Sequence, residues 1–188
     1  EVEVDGEAAD RTALAADKRP ERRLMFVGWS HLLAPIFREL ADYQREYFNI
    51  TLVTDLPREE CRKRLHLDLD RLENLTLQCR RISIDDPDAV EKLAPDEVDN
   101  IVLLSSEMAD DRLMADAETV MAYVQLRDYF ERADDEAAGG GPPAPATPSF
   151  VMELYDEDNR DLFHLGASHD LIMTQEIISH LLSQVGVR

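Results

Sequence analysis

Short apolar segments alternate along this chain with longer segments in which apolar residues recur at helical spacing. An apolar run rich in branched and aromatic side chains predicts a buried strand. Such runs lie at 24–27, 50–54, 75–84, 101–105 and 150–154. The segments between these runs are predicted to be helices, at 31–47, 58–72, 88–93 and 110–130, because they are helix-prone or carry apolar residues at helical spacing.

This alternation of strands and helices predicts the fold class. Parallel strands need crossover connections, so strands separated by helices indicate a mostly parallel sheet. Strands that are apolar almost without interruption indicate a sheet covered by helices on both faces. The pattern therefore predicts an α/β fold of the doubly wound, Rossmann-like type, in which ligands bind at the carboxyl ends of the strands.

Two segments show no periodic spacing of apolar residues. Residues 1–21 are rich in Ala, Asp and Glu, and they predict a disordered leader or linker. Residues 134–148 contain three consecutive glycines and four prolines, which predict a flexible loop. One domain is therefore expected over 22–188, with that loop inside it.

The chain is strongly acidic, with 40 Asp and Glu against 20 Lys and Arg and a formal net charge of −20. This charge argues against a nucleic-acid partner, because phosphate binding needs a basic surface. Only Lys18, Lys63 and Lys92 are lysines. Such a composition favours a protein adapted to concentrated salt, where self-repulsion is screened, and an ordinary acidic surface is the alternative.

The remaining composition indicates a domain outside the membrane. No apolar run approaches the roughly 20 residues of a membrane-spanning helix. Cys61 and Cys79 lie far apart in the sequence and form no CxxC motif, so reduced thiols and a cytosolic location are expected.

The first predicted strand ends in the turn Gly28-Trp29-Ser30. A dinucleotide fingerprint needs three glycines here, for the turn, for close approach of the pyrophosphate and for helix packing. Only Gly28 is present, and Trp29 would place a large ring where a phosphate should lie. The turn is a candidate ligand site, but it argues against NAD as the ligand.

Polar residues at two further strand ends complete the candidate ligand site. Asp55 follows the second strand, where it would either bind a ribose or serve as a turn residue before Pro57; the turn role is favoured. Ser105, Ser106 and Glu107 follow the fourth strand. They would either line the same crevice or cap the next helix.

The chain offers no recognisable catalytic or metal motif. It contains no nucleophile elbow, P-loop or HExxH, so no catalytic residue is predicted and the chain is not expected to be an enzyme. The acidic run at 156–161 fails the EF-hand pattern, although its carboxylates are compatible with a weakly bound cation. Any cofactor and any metal site stay unknown at this point.

Four stretches of the chain, taken in order, resemble a known family. The first is RLMFVGW at 23–29, with a Gly-Trp turn in place of a glycine-rich one. The others are DRLENLTL at 70–77, ADAET at 115–119 with LRD at 126–128, and ELYDEDN at 153–159 with QEII at 175–178. The set resembles the RCK (TrkA-like) domains of ion channels, and among them the second RCK domain of the Castor and Pollux group.

The resemblance implies an RCK N-lobe, a cytoplasmic module that pairs with its copies or with a first RCK domain in a ring below a membrane pore. The implied function is ligand-sensing regulation, or gating, of a cation channel or transporter, with potassium as the expected ion. Such channels also carry membrane helices and a further carboxyl-terminal lobe, so an isolated domain is expected here. The competing hypothesis is an NAD(P)-binding oxidoreductase or nucleotide-binding enzyme on the same fold.

A last predicted helix carries an apolar stripe formed by Ile177, Ile178, Leu181, Leu182 and Val185. The stripe either packs on the chain's own sheet or contacts another subunit. The resemblance implies the second role, because the helix at this position makes the dimer contact in the family. We therefore expect a homodimer held partly by these residues.

Overall fold

The computed structural model describes residues 19–68, 72–82, 87–107, 109, 111–156 and 169–173, with side chains omitted at 87–89 and 169–173. The strands are β1 (Glu21–Val27), β2 (Tyr47–Thr54), β3 (Leu75–Arg81), β4 (Asn100–Leu103), β5 (Ser149–Leu154) and β6 (His169–Met173). The helices are α1 (Leu33–Asp42), α2 (Arg58–Leu65), α3 (Pro87–Leu93) and α4 (Arg112–Ala138), with a 3-10 turn at Pro95–Glu97.

The strands form one sheet in the order β3-β2-β1-β4-β5-β6, and every neighbouring pair is parallel. The chain first builds outward from β1 to β3 and then returns to β4 on the other side of β1. At the centre, Leu24 of β1 is paired with Ile50 of β2 and with Asn100 of β4. The predicted doubly wound α/β fold is confirmed, and its strand order reverses between β1 and β4.

Helices cover both faces of the sheet, which explains why the central strands are apolar at nearly every position. Leu24 and Phe26 of β1 pack in one core, beneath α1 and α2. Met25 and Val27 point to the other face and pack with α3 and α4. Burial of side chains of this size stabilises the fold by about 1.5–3 kcal/mol each.

Several element boundaries differ from those predicted by the pattern. Helix α2 ends at Leu65 rather than 72, because His66 adopts a left-handed conformation that cannot continue the helix. Strand β1 begins at Glu21, inside the predicted leader, because its backbone pairs with Tyr47. Helix α1 ends at Asp42 rather than 47, and 47–49 belong to β2. Helix α4 continues through Ala138, so the prediction of a flexible loop is wrong for 134–138. These residues contain no helix breaker, and the helix ends where glycines begin at Gly139.

The sixth strand was not predicted. Strand β6 pairs with β5 through the register Phe150 to His169, and it opens with the polar pair His169-Asp170. Its apolar residues are only the three at 171–173, a run too short to predict a strand from the sequence alone. Among the described residues, none of the helices combines the length and apolar character needed to cross a membrane.

Candidate functional site

A cleft of about 130 Å³ opens at the carboxyl ends of β1, β2 and β4, where the strand order reverses. This is the position at which open α/β sheets bind their ligands. Of the residues predicted to form the site, Gly28, Trp29, Asp55 and Ser106 line the cleft. Small-molecule pockets usually measure about 300–1,000 Å³, so the cleft is too small for a dinucleotide as it stands.

Gly28 brings the first turn against the end of β4. Its φ is +97°, and an added Cβ would lie 2.4 Å from the Leu104 carbonyl oxygen. Its N–H donates to the Val53 carbonyl at 3.0 Å, while the Leu104 N–H donates to the Val27 carbonyl at 2.8 Å. Gly28 is thus required for the turn and the close approach of two backbone segments, whether or not a ligand binds.

Trp29 forms part of the wall rather than filling the cleft. Its side chain is only 6% exposed and packs in the core with Leu33 and Leu104. Its carbonyl accepts a hydrogen bond from the Glu107 N–H at 3.0 Å. The indole therefore helps to fix the loop that follows β4 against the turn that follows β1.

The N–H groups of the turn that leads into α1 donate to the chain's own acceptors. The His31 N–H donates to a Glu107 carboxylate oxygen at 3.0 Å, and the other carboxylate oxygen contacts His31 Nδ1. The next two N–H groups, of Leu32 and Leu33, donate to the hydroxyl and carbonyl of Ser30 at 3.2 and 3.1 Å. A helix amino terminus is where nucleotide-binding members of this fold hold phosphate, because free N–H groups point at the ligand there. Here Glu107 supplies the anion and Ser30 the remaining acceptors.

Ser105 is fully buried and lies behind the cleft. Its hydroxyl is 2.9 Å from both an Asp116 carboxylate oxygen and the Glu153 carbonyl oxygen, so its single proton is shared between two acceptors. Asp116 also accepts the N–H groups of Tyr155 and Asp156, at 2.9 and 3.1 Å. Ser105 therefore belongs to a buried network that ties the end of β4 to α4 and to the end of β5.

The alternative that Ser105, Ser106 and Glu107 cap the next helix is wrong. The cap of α4 is Asp111, whose carboxylate accepts the Met114 N–H at 2.8 Å. A cap needs to lie directly before the first helical residue, and the loop after β4 continues beyond Glu107 before α4 begins at Arg112. Of the three, only Ser106 lies in the cleft wall.

The charged side chains in the described cleft wall are acidic. Asp55 is exposed at the end of β2, with its carbonyl accepting from Arg81 Nε at 3.0 Å. Glu118 extends from α4 into the same wall, next to Thr119 and Ala122. Two carboxylates in a cleft repel an anionic ligand and favour a neutral or cationic one.

Several residues of the site were not found from the sequence. Asp116, Glu118 and Thr119 lie in the first turns of α4, far along the chain from Gly28. A usable signal was present, because Asp116 and Thr119 interrupt the apolar face of a predicted helix at three-residue spacing. A polar residue on the buried face of a helix indicates an internal hydrogen bond.

Other predicted sites lie outside the part of the chain that can be described. They are most of the acidic run, at 157–161, and the apolar stripe of Ile177, Ile178, Leu181, Leu182 and Val185. Among the residues that are described, no group of three or more His, Cys, Asp or Glu side chains could hold a metal ion.

The chain is similar in sequence to two plant ion channels. It is 24% identical to the ion channel CASTOR of Lotus japonicus over 89% of this chain. It is 23% identical to the probable ion channel CASTOR of Oryza sativa subsp. japonica, also over 89% of this chain. The matched region is 22% of the first relative and 21% of the second, so the chain spans about a fifth of their length. No protein-family model matches the chain.

The fold is shared with a solved gating ring. The human SLO3 gating ring matches 87% of this chain with a TM-score of 0.52, over 26% of that larger chain and at 10% sequence identity. At this identity the likeness shows the fold alone. The resemblance that the four sequence stretches predicted is confirmed by these findings, since the relatives are ion channels and the fold occurs in a gating ring.

Proposed function

We propose that this chain is a regulatory domain of an ion channel, without catalytic activity of its own. The observation that carries the proposal is the similarity to ion channel CASTOR, which extends over 89% of the chain instead of one short motif. In the intact protein the domain lies on the cytoplasmic side and is joined to a membrane pore, with potassium as the expected ion. Ligand binding in the cleft would favour one arrangement of neighbouring domains over another, which requires different affinities in the two states.

The geometry of the cleft supports a ligand other than a dinucleotide. The N–H groups of the turn that leads into α1, those of His31, Leu32 and Leu33, already donate to Glu107 and Ser30. The wall adds the carboxylates of Asp55 and Glu118. A pyrophosphate would have to displace an internal carboxylate and then face two more, so a neutral or cationic ligand fits better.

The first test is nucleotide binding. Calorimetry with NAD and NADH is expected to give no binding in the micromolar range, and Glu107→Gln, which keeps an acceptor but removes the charge, is the matched variant. A wild-type dissociation constant near or below about 10 μM, which corresponds to roughly −7 kcal/mol, would favour the oxidoreductase hypothesis instead.

The outward side of α4 is the candidate assembly surface. Four large apolar side chains share this side in the first half of the helix, and we call them the α4 outer face. Their exposed fractions are 71% for Leu113, 51% for Met114, 50% for Met121 and 53% for Val124. Farther along the same side the helix carries Asp128, Glu131 and Arg132. A confined apolar patch on so acidic a chain marks a contact surface, and we assign it to a second RCK-type domain.

The second test compares two candidate contact helices. The double variant Met121→Glu, Val124→Glu is expected to convert the assembled protein into folded monomers in light scattering. The variant Ile178→Glu, Leu182→Glu tests the stripe predicted from the sequence, and Arg132→Glu, beyond the α4 outer face, is the control. A wild-type protein that is monomeric at high concentration would contradict the assembly proposal. Unfolding of the Met121 and Val124 variant would show instead that the chain's own residues cover this face.

A further inference from the structure

The two cysteines of the chain, far apart in sequence, meet between α2 and β3. Cys61 lies on α2, and its sulfur is 3.7 Å from the Leu56 carbonyl oxygen. Cys79 lies on β3, on the same side of the strand as Leu75 and Leu77, and packs against the core that contains Cys61. Both thiols are free, and they interact, since each shifts the pKa of the other.

The surroundings of the two sulfurs differ in a way that assigns them different roles. Cys61 is fully buried, whereas Cys79 is only half-buried at the edge of the sheet. The hydrogen bond from the Cys61 thiol lowers the pKa of Cys79, and the positive charges of Arg58 and Arg62 act in the same direction. That hydrogen bond, together with burial, raises the pKa of Cys61. Cys79 is therefore the thiol that ionises first and that solutes reach first.

We propose that Cys61 and Cys79 form an oxidisable thiol pair that hydrogen peroxide converts into an internal disulfide. The Cys79 thiolate attacks one oxygen of the peroxide, the O–O bond breaks, and the leaving hydroxide takes up a proton to become water. The resulting sulfenic acid of Cys79 is then attacked by the sulfur of Cys61. Cys61 loses its proton, the sulfenic oxygen leaves as a second water, and the S–S bond forms.

This cross-link would join a helix to an edge strand next to the cleft. Strand β3 is at the end of the sheet, and two residues beyond Cys79 the Arg81 side chain donates to the Asp55 carbonyl at 3.0 Å. The disulfide would fix this strand to α2. Oxidation of the pair would thus act on the side of the cleft formed by Asp55, independently of what the cleft binds.

Intact-mass spectrometry on the reduced chain tests the pair. After exposure to hydrogen peroxide and alkylation of remaining thiols, we expect a monomer that has lost two hydrogen atoms and carries no alkyl group. Because the chain has only two cysteines, the reading is unambiguous. Two alkylated cysteines, oxygen gain without hydrogen loss, or a disulfide only between chains would each overturn the proposal.

Variants test the assigned roles. In Cys61→Ser, dimedone is expected to trap a sulfenic acid at Cys79, and in Cys79→Ser the buried Cys61 is expected to stay reduced. The double variant Arg58→Gln, Arg62→Gln is expected to slow wild-type oxidation severalfold, while Arg38→Gln, an exposed arginine on α1, leaves the rate unchanged. Trapping at Cys61 instead of Cys79 would overturn the assignment. The wild-type mass measurement decides the disulfide even if a serine variant fails to fold.

Discussion

Single residues hold the cleft open by satisfying the backbone around it. Glu107 and Ser30 accept the N–H groups at the start of α1, and Asp116 accepts those that follow β5. Gly28 contributes by having no side chain at a point where two backbones meet. Internal hydrogen bonds therefore fix the shape of the cleft before any ligand binds, and a ligand has to fit that shape.

Gly28 provides the clearest prediction at the residue scale. Gly28→Ala places a side chain at φ +97° and 2.4 Å from the Leu104 carbonyl oxygen, so the backbone must shift. The left-handed conformation costs about 1–2 kcal/mol, and overpacking adds about 1–3 kcal/mol. Urea unfolding should therefore show a loss of roughly 2–5 kcal/mol in the free energy of unfolding.

Gly140→Ala is the matched control for this substitution. Gly140 has a similar φ of +92° but no atom within 4 Å of an added Cβ. It should lose only about 1–2 kcal/mol, because the conformational cost remains and the collision is absent. Equal losses for the two alanine variants would show that Gly28 does not act through its contact with Leu104.

Among the elements, α4 connects the core, the cleft and the proposed assembly surface. Its inward side packs Tyr123 and Phe130 against Phe150, with ring centroids 5.6 and 6.3 Å apart and the rings nearly perpendicular. Its first turns supply Asp116 to the buried network and Glu118 to the cleft wall. Since one rigid helix carries all three, a ligand that shifts its amino-terminal end would also move the α4 outer face.

The cap of this helix can be tested directly. Asp111→Ala removes the acceptor of the Met114 N–H, and the free energy of unfolding should fall by about 0.5–2 kcal/mol. Asp111→Ser keeps a capping oxygen, so its free energy of unfolding should fall by only about a few tenths of a kcal/mol. Urea unfolding of both variants measures the difference. A serine variant as unstable as the alanine variant would show that the carboxylate acts through its charge at the helix terminus and not through the cap.

For the molecule as a whole, the dominant physical quantity is the net charge of −20. Exposed ion pairs of the described residues, such as Arg64 with Glu60 at 2.8 Å on one helix, leave the acidic excess in place. An exposed pair of this kind contributes only about 0–1 kcal/mol. Self-repulsion should therefore destabilise the compact state at low ionic strength.

The salt-adapted interpretation of the composition stays a prediction. We expect the melting temperature to rise as potassium chloride increases from dilute to molar, because screening shortens the range of repulsion from about 30 Å at 0.01 M to about 3 Å at 1 M. Neutralising the exposed residues Glu39, Glu59 and Glu136 to Gln should raise the melting temperature in dilute salt and flatten the curve. A flat or falling wild-type curve would contradict this interpretation without affecting the fold.

The sequence by itself determined the order of strands and helices and therefore the fold. Apolar runs and helical spacing are local properties, and they identified five of the six strands now observed. They also located the strand ends, where Gly28, Trp29, Asp55 and Ser106 line the cleft, although the sequence alone favoured a turn role for Asp55 and left the role of Ser106 open. Strand β6 was missed because its pairing with β5, rather than its composition, makes it a strand.

Only the tertiary structure decided which distant side chains meet. The contact of Glu107 with His31, the sharing of the Ser105 proton with Asp116, and the approach of Cys61 to Cys79 all join different elements. Such contacts depend on strand order, register and helix placement, and none of these is encoded in the spacing of residues along the chain. For the same reason, the outward position of Met121 and Val124 appears only once the helix has been seated on its sheet.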